Sequence, residues 1–253
     1  MFEIYGFTHV GMLREHNEDA FLVPAFVGST GSHRIAEIEG NLLLAVADGV
    51  GGLAAGEIAS SLALKELSQI DPTLDSDALK EAIQVIDQKI SDYGSTHPES
   101  KGLGCTLTGI TVVENKVRTF NVGDSRVYRY RDGILRQYTH DQSLVQSLFD
   151  AGEISREECF THPQKNMILQ SLGGVRQKGI VLEVVIEELR GSFEPGDLFL
   201  LCSDGLSDLV SDDAMETILE QASSLSQAIN FLVKQANDNG GTDNITAVGI
   251  QCH

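Results

Sequence analysis

The chain's apolar positions fall into short blocks, and the spacing within each block predicts its structure. Residues 2–10 alternate loosely and predict a first strand. Ala20 to Val23 predicts a second, stopped at Pro24. Residues 28–40 are polar and predict a loop. Leu42 to Ala47 is an unbroken aliphatic run, the pattern of a strand buried on both faces. Two helices are predicted next. The first spans Glu57 to Leu67, with Ile58, Leu62 and Leu67 on one side. The second opens at Ser76 as N-cap and sets Leu79, Ile83, Ile86, Ile90 and Tyr93 at steps of four and three. Gly94 to Gly104 is a predicted connection.

Short β signals follow at Leu107–Val113, Lys116–Asn121 and Val127–Arg131. Asp132-Gly133 predicts a hairpin turn into Ile134–Tyr138. A helix is predicted over Ser143–Asp150, ending near Gly152. Val181–Glu187 alternates again. Pro195-Gly196 turns into an apolar strand over Asp197–Cys202. Two helices near 211–222 and 226–237 precede a closing strand, Ile245–Ile250. Strands in blocks with helix pairs between them do not fit the regular alternation of a parallel doubly wound sheet. They predict an α+β fold with helix pairs covering sheet faces.

Composition narrows the class. Of 253 residues, 42% are apolar, enough for a substantial core. No stretch approaches the roughly 20 apolar residues of a membrane span, and Met1-Phe2-Glu3-Ile4 lacks the features of a signal peptide. Cys105, Cys159, Cys202 and Cys252 are scattered, which fits reduced core thiols better than a zinc site or disulfides. The expectation is a soluble cytoplasmic protein with no membrane partner. The formal charge of −19 argues against nucleic acid as a partner. It also works against an anionic ligand unless bound cations reverse the charge locally.

Acids recur where strands end. Asp48 closes Leu42–Ala47 and is followed by Gly49-Val50-Gly51-Gly52. Asp204 closes Asp197–Cys202 and precedes Gly205. Asp243 follows Gly240-Gly241-Thr242 and leads into the last strand. Asp124 sits in Val122-Gly123-Asp124-Ser125 between two strands, and Asp19 ends a polar loop just before one. A single Asp-Gly is an ordinary turn. Several strand-end carboxylates that converge must bind cations or take up protons. The donors are all oxygen, which favours Mg²⁺ or Mn²⁺ over Zn²⁺. Two such ions about 4 Å apart activate water and clamp a phosphate. Arg14 offers a fork for phosphate oxygens, or else a surface partner for Glu18.

In order, these residues are Arg14-x-x-Asn17-Glu18-Asp19, Asp48-Gly49-x-Gly51-Gly52, Gly123-Asp124-Ser125-Arg126, Ser203-Asp204-Gly205-Leu206 and Asp243-Asn244-Ile245-Thr246. The set resembles the metal-dependent protein serine/threonine phosphatases of type 2C, in their bacterial form. The resemblance spans residues 14 to 246. It implies a β-sandwich of two mainly antiparallel sheets flanked by helix pairs, in four layers, with residues 1–253 as one catalytic domain. It implies a binuclear Mg²⁺ or Mn²⁺ centre. Asp48 would bridge both ions, the Gly49 carbonyl would ligate one, and Asp204 and Asp243 the other. Bacterial members often hold a third ion, for which Asp124 and Asp204 would be ligands. Glu18 and Asp19 would act in the outer shell, Asn244 would support Asp243, and Arg14 would bind the substrate phosphate. The implied reaction is hydrolysis of phosphoserine or phosphothreonine in proteins by a hydroxide bridging the ions, opposing a Ser/Thr kinase, in a monomer. Two other readings are a catalytically weak phosphoprotein-binding regulator and a phosphatase of a small phosphometabolite.

Some positions depart from the family pattern. Val50 stands where some members carry a His proposed as general acid, leaving water, His16 or His140 to protonate the leaving group. Leu53 replaces a frequent His. Asp141-Gln142-Ser143 stands for Asp-His-Ser, and Gly104-Cys105-Thr106 for Gly-Thr-Thr. Residues 144–175 resemble the family's flap beside the active site, with Gly152, Gly173 and Gly174 as hinges. A static helix and loop packed on the sandwich is the alternative for that segment.

Overall fold

A computed structural model describes residues 1–51, 55–100, 102–174 and 181–253. Gly52, Leu53, Lys101 and the last flap residue, Val175, lie outside the described residues. The first strands are β1 (Phe2–His9), β2 (Ala20–Val23), β3 (Phe26–Gly28), β4 (Gly31–Ile38), β5 (Leu42–Ala47) and β6 (Gly49–Val50). Helices α1 (Ala55–Leu67) and α2 (Ser76–Thr96) follow, then strands β7 (Gly104–Cys105), β8 (Leu107–Val113), β9 (Lys116–Val122), β10 (Arg126–Arg131) and β11 (Ile134–Gln137). Next come α3 (Leu144–Asp150), α4 (Arg156–Thr161), β12 (Leu172–Gly173), β13 (Val185–Glu188) and β14 (Leu198–Cys202). The chain then forms α5 (Asp204–Ser207), α6 (Asp212–Gln221), α7 (Leu225–Asp238) and β15 (Ile245–Cys252).

Two antiparallel sheets organise these elements. One runs β11-β10-β14-β15-β1-β4 and the other β13-β9-β8-β5-β2-β3. The period-two rule explains why their central strands read as continuous apolar runs. In β5, Leu42, Leu44 and Val46 enter the core between the sheets, while Leu43, Ala45 and Ala47 face α1 and α2. In β14, Phe199 and Leu201 face inward, whereas Leu198, Leu200 and Cys202 meet α6 and α7. Three apolar layers therefore separate four structural ones, helix–sheet–sheet–helix. Helix α2 buries Leu79, Ile83, Ile86 and Ile90 as the predicted stripe.

Three local expectations are corrected. Residues 31–38 form strand β4 rather than a loop. Its apolar signal was thin because it is a sheet edge: of its residues, Ile35 and Ile38 reach the inter-sheet core and the rest face outward or pair with β1. Asp75, not Ser76, caps α2, because its carboxylate accepts from the Ala78 backbone N–H at 2.8 Å. The strand expected over 181–187 begins at Val185, where pairing with β9 starts.

Strand register positions the site. Ala20 pairs with Ala47, Val46 with Thr108, and Leu107 with Val122, so Asp19, Asp48 and Asp124 leave one sheet at the same end. In the other sheet Cys202 pairs with Ala247 and His9 with Ile245. That brings Asp204, Asp243 and the loop after β1 to the matching end.

Candidate metal centre

The two sets of strand ends enclose a cleft of about 220 Å³ lined by Arg14, Glu18, Asp48, Gly49, Val50, Gly51, Thr106, Asp124, Asn166, Ile168, Asp204, Asp243 and Asn244. Eight of the nine site residues expected from sequence therefore share one space. The ninth, Asp19, is fully buried behind it, where it accepts a hydrogen bond from the Ser203 hydroxyl at 2.7 Å.

Nearby partners fix the backbone and loops that carry the acids. The Asp48 N–H donates to the Thr106 hydroxyl at 3.0 Å, and the Thr106 N–H donates to the Asp48 carbonyl at 2.8 Å. The Thr106 and Ser125 hydroxyls lie 2.8 Å apart, which ties Asp48 to the turn carrying Asp124. The Arg126 guanidinium grips Asp141 in a fork with contacts as short as 2.6 Å, anchoring the same turn from the far side. Asn244 staples the first acidic loop. Its side-chain carbonyl accepts from the Glu18 N–H at 2.8 Å, and its amide donates to the Val10 and His16 carbonyls, both at 2.9 Å. Arg14 reaches Asp243 at 2.7 Å rather than Glu18.

Glycine at position 49 has a steric cause. A Cβ there would stand 2.3 Å from the Gly56 carbonyl oxygen and 2.6 Å from that of Glu18. Close backbone approach of α1 thus keeps the Gly49 peptide beside Asp48.

The electrostatics are those of a buried acid cluster that the nearby charges of Arg14, Arg126 and Lys165 only partly offset. Burial, then the charges of Asp19, Asp204 and Asp124, push the Asp48 carboxyl well above the usual carboxylate range. Burial, then Asp204 and Asp141, does the same to Asp124. Asp204 is pushed up to about 6, by burial first and then by Asp208 and Asp243. Asp19 rises to about 7 through burial, against the hydrogen bonds from Ser203 and Thr246. Asp204 Oδ1 and Asp19 Oδ1 are buried and meet no hydrogen-bond donor among the described residues. Such oxygens are costly unless a cation completes them.

These residues fit hard divalent cations. Among the described residues no three His, Cys, Asp or Glu side chains gather round one point. Mg²⁺ does not need such a cage, because it keeps several waters and takes one or two carboxylates per ion. Imidazole is absent from the described cleft lining. His140 is instead paired with Asp150 at 2.7 Å.

Four contributors carry no role at the level of sequence. Thr106 and Ser203 lay inside recognised motifs, but their partners come from other strands. Asn166 and Ile168 follow α4 and reach the cleft through the fold alone, with no local pattern to mark them.

A cleft of converging oxygen donors with an arginine at its mouth fits the class of metal-dependent phosphoryl hydrolases. Residues 30–244 match the model described as Protein phosphatase 2C, and the chain belongs to that family. It is 34% identical over 255 residues to Serine/threonine phosphatase stp of Listeria monocytogenes, covering 96% of this chain and 93% of that protein. It is 38% identical over 244 residues to Serine/threonine protein phosphatase PstP of Mycobacterium tuberculosis, covering 94% of this chain but 42% of PstP. Among solved structures, Stp1 from Staphylococcus aureus superposes with a TM-score of 0.83 at 32% identity, over 100% of this chain and 96% of that one. The PstP catalytic domain in complex with two manganese ions gives 0.78 at 33% identity, over 99% of each chain. No described helix is long and apolar enough to cross a membrane.

Proposed function

We propose that Asp48, the Gly49 carbonyl, Asp204 and Asp243 hold two divalent ions, and that Asp124 with Asp204 holds a third. The observation carrying this is the buried, unpartnered Asp204 oxygen in a cleft shared with Asp48, Asp124 and Asp243. When bound, such ions supply a lowered water pKa and neutralise phosphoryl charge. The protein's own groups do the rest. Thr106 fixes the Asp48 backbone. Asn244 holds the Glu18 loop against Asp243. Glu18, on the cleft wall, and Asp19, buried behind it, would support the ions from the outer shell. Arg14, half exposed at the cleft and paired with Asp243, turns its remaining N–H groups to the phosphate oxygens of the incoming residue. Val50 cannot give a proton, so the leaving serine or threonine oxygen takes its proton from water.

The substrates are phosphoserine and phosphothreonine in proteins, and the enzyme opposes a Ser/Thr kinase in the cytoplasm as a monomer. Residues 1–253 act as one catalytic domain, with residues 144–174 beside the cleft. The test is phosphate release from phosphothreonine peptides and from a panel of small phosphometabolites, in EDTA and after Mn²⁺ is restored. Mn²⁺-dependent release with peptides preferred by at least about tenfold in kcat/KM is expected. Preference for a metabolite, or release that survives EDTA, would contradict it.

A further inference from the structure

A second cavity, of about 50 Å³, shares Asp124 and Asp204 with the metal cleft and is lined by residues of α3, α4 and α5. The Asp208 N–H donates to the Asp204 carbonyl at 2.8 Å, so Asp204, Ser207 and Asp208 follow one helical face, and all three line this cavity. Two oxygens here lack partners. Asp204 Oδ1 and the hydroxyl of Ser207, a residue 3% exposed, are buried and meet no hydrogen-bond partner among the described residues. Buried oxygens of this kind are costly unless a cation or its water completes them.

One cation of the protein's own reaches these acids. Lys165 lines the cavity and pairs with Asp208 at 2.7 Å. Its charge acts on Asp204, opposing the burial and the Asp208 and Asp243 charges that push that carboxyl up to about 6. The two arginines of the lining are engaged elsewhere: Arg126 grips Asp141, and Arg156 pairs with Asp212 at 3.1 Å. The segment carrying Lys165 is pinned to the body. The Leu144 N–H donates to the Met167 carbonyl at 2.8 Å, and the Leu169 N–H donates to the Gln142 carbonyl at 2.7 Å. Ile168 forms an isolated bridge with Ser143. The lysine is therefore presented from a fixed wall, whose next residue, Asn166, lines the metal cleft.

We propose that Lys165 is a tethered cation that competes with the third divalent ion for the acids of this cavity, making that ion the weakest bound of the three. This rests on the metal-centre reading. A divalent ion on Asp124 and Asp204 shares the cavity with the ammonium, and like charges in one desolvated space repel. The coupling is reciprocal: Lys165 weakens the ion, and the ion loosens Lys165 from Asp208.

Calorimetric titration of the full chain with Mn²⁺ tests it, with thermal melts to confirm folding. In Lys165→Met the weakest Mn²⁺ site should tighten about tenfold, while the tighter sites stay within about twofold. Lys165→Arg keeps the charge and should keep the wild-type affinity. Arg156→Met removes a charge from the same cavity but not from these acids, and should leave the weakest site within about twofold of wild type. Asp124→Asn should remove that site in both the wild-type and the Lys165→Met backgrounds. A second measurement needs no change at the lysine: acetylation of Lys165 by acetic anhydride, read by mass spectrometry, should quicken severalfold at saturating Mn²⁺ in wild type and not in Asp124→Asn. An unchanged weakest site in folded Lys165→Met, equal tightening in Arg156→Met, or acetylation of wild-type Lys165 indifferent to Mn²⁺ overturns the competition and leaves the metal centre intact. Absence of Mn²⁺ binding to wild type overturns both.

Discussion

Arg14 separates stability from catalysis. Its ion pair with Asp243 is 49% exposed on the arginine side and 30% on the aspartate side. Exposed pairs contribute at most about 1 kcal/mol. Removing a donor that meets developing phosphoryl charge costs on the order of 100-fold in turnover. Arg14→Ala should therefore leave the thermal midpoint within a few degrees of wild type and cut phosphopeptide turnover about 100-fold. Steady-state kinetics beside a thermal melt checks both halves. The acids give a pH signature. Asp19 and Asp204 move from 3.8 to about 7 and about 6 on folding. The metal-free folded chain then binds more protons than the unfolded one between those limits, so its stability falls as pH rises from about 4 through about 7. Melts in EDTA at pH 5 and pH 8 should show the lower midpoint at pH 8, and Mn²⁺ should raise that midpoint most. A midpoint that rises with pH in EDTA would contradict it. At this scale the sequence was informative: Asp48, Asp124, Asp204 and Asp243 stood out by their glycine neighbours and strand-end positions. The hydroxyls of Thr106 and Ser203 did not, because their partners at Asp48, Ser125 and Asp19 come from distant strands.

Short helix α5 shows how an element sets the site. Asp204 is its first residue, and Gly205 packs against the strand entry of β15. A Cβ at Gly205 would lie 1.9 Å from the Asn244 carbonyl oxygen and 3.4 Å from the Asp243 Cβ. The obstacle is backbone, so the elements must part. Gly205→Ala should cost about 1–3 kcal/mol in denaturant unfolding. It should also weaken Mn²⁺ binding, since Asp204 and Asp243 separate together; unchanged Mn²⁺ affinity would show that α5 does not set their spacing. Elements were legible where burial was one-sided or complete. The stripe of α2 and the run of β5 announced themselves through Ile83, Ile86, Leu44 and their neighbours. Strand β4 did not, because a solvent-facing edge needs no apolar alternation. The α5 turn was equally silent, being four residues long with a sequence that also reads as a loop.

Across the whole molecule, two sheets pack so that five acid-bearing strand ends meet at one side. Order along the chain suggested the four-layer sandwich through its resemblance to a family. Convergence itself depends on register, such as Ala20 opposite Ala47 and Cys202 opposite Ala247, which no local pattern encodes. The pinned wall at residues 165–169 likewise depends on tertiary contacts to Asp208 and Gln142. On the proposed reading, the same arrangement would let so acidic a chain take an anionic substrate, since cations held by the acids would reverse the charge at the cleft. The central claim is that Asp48 holds those cations for hydrolysis. Its most direct test is Mn²⁺-dependent phosphate release from a phosphothreonine peptide by Asp48→Asn, a near-isosteric change, with folding confirmed by circular dichroism. A fall of about 1,000-fold or more with the fold retained is the predicted result; turnover equal to wild type would contradict it.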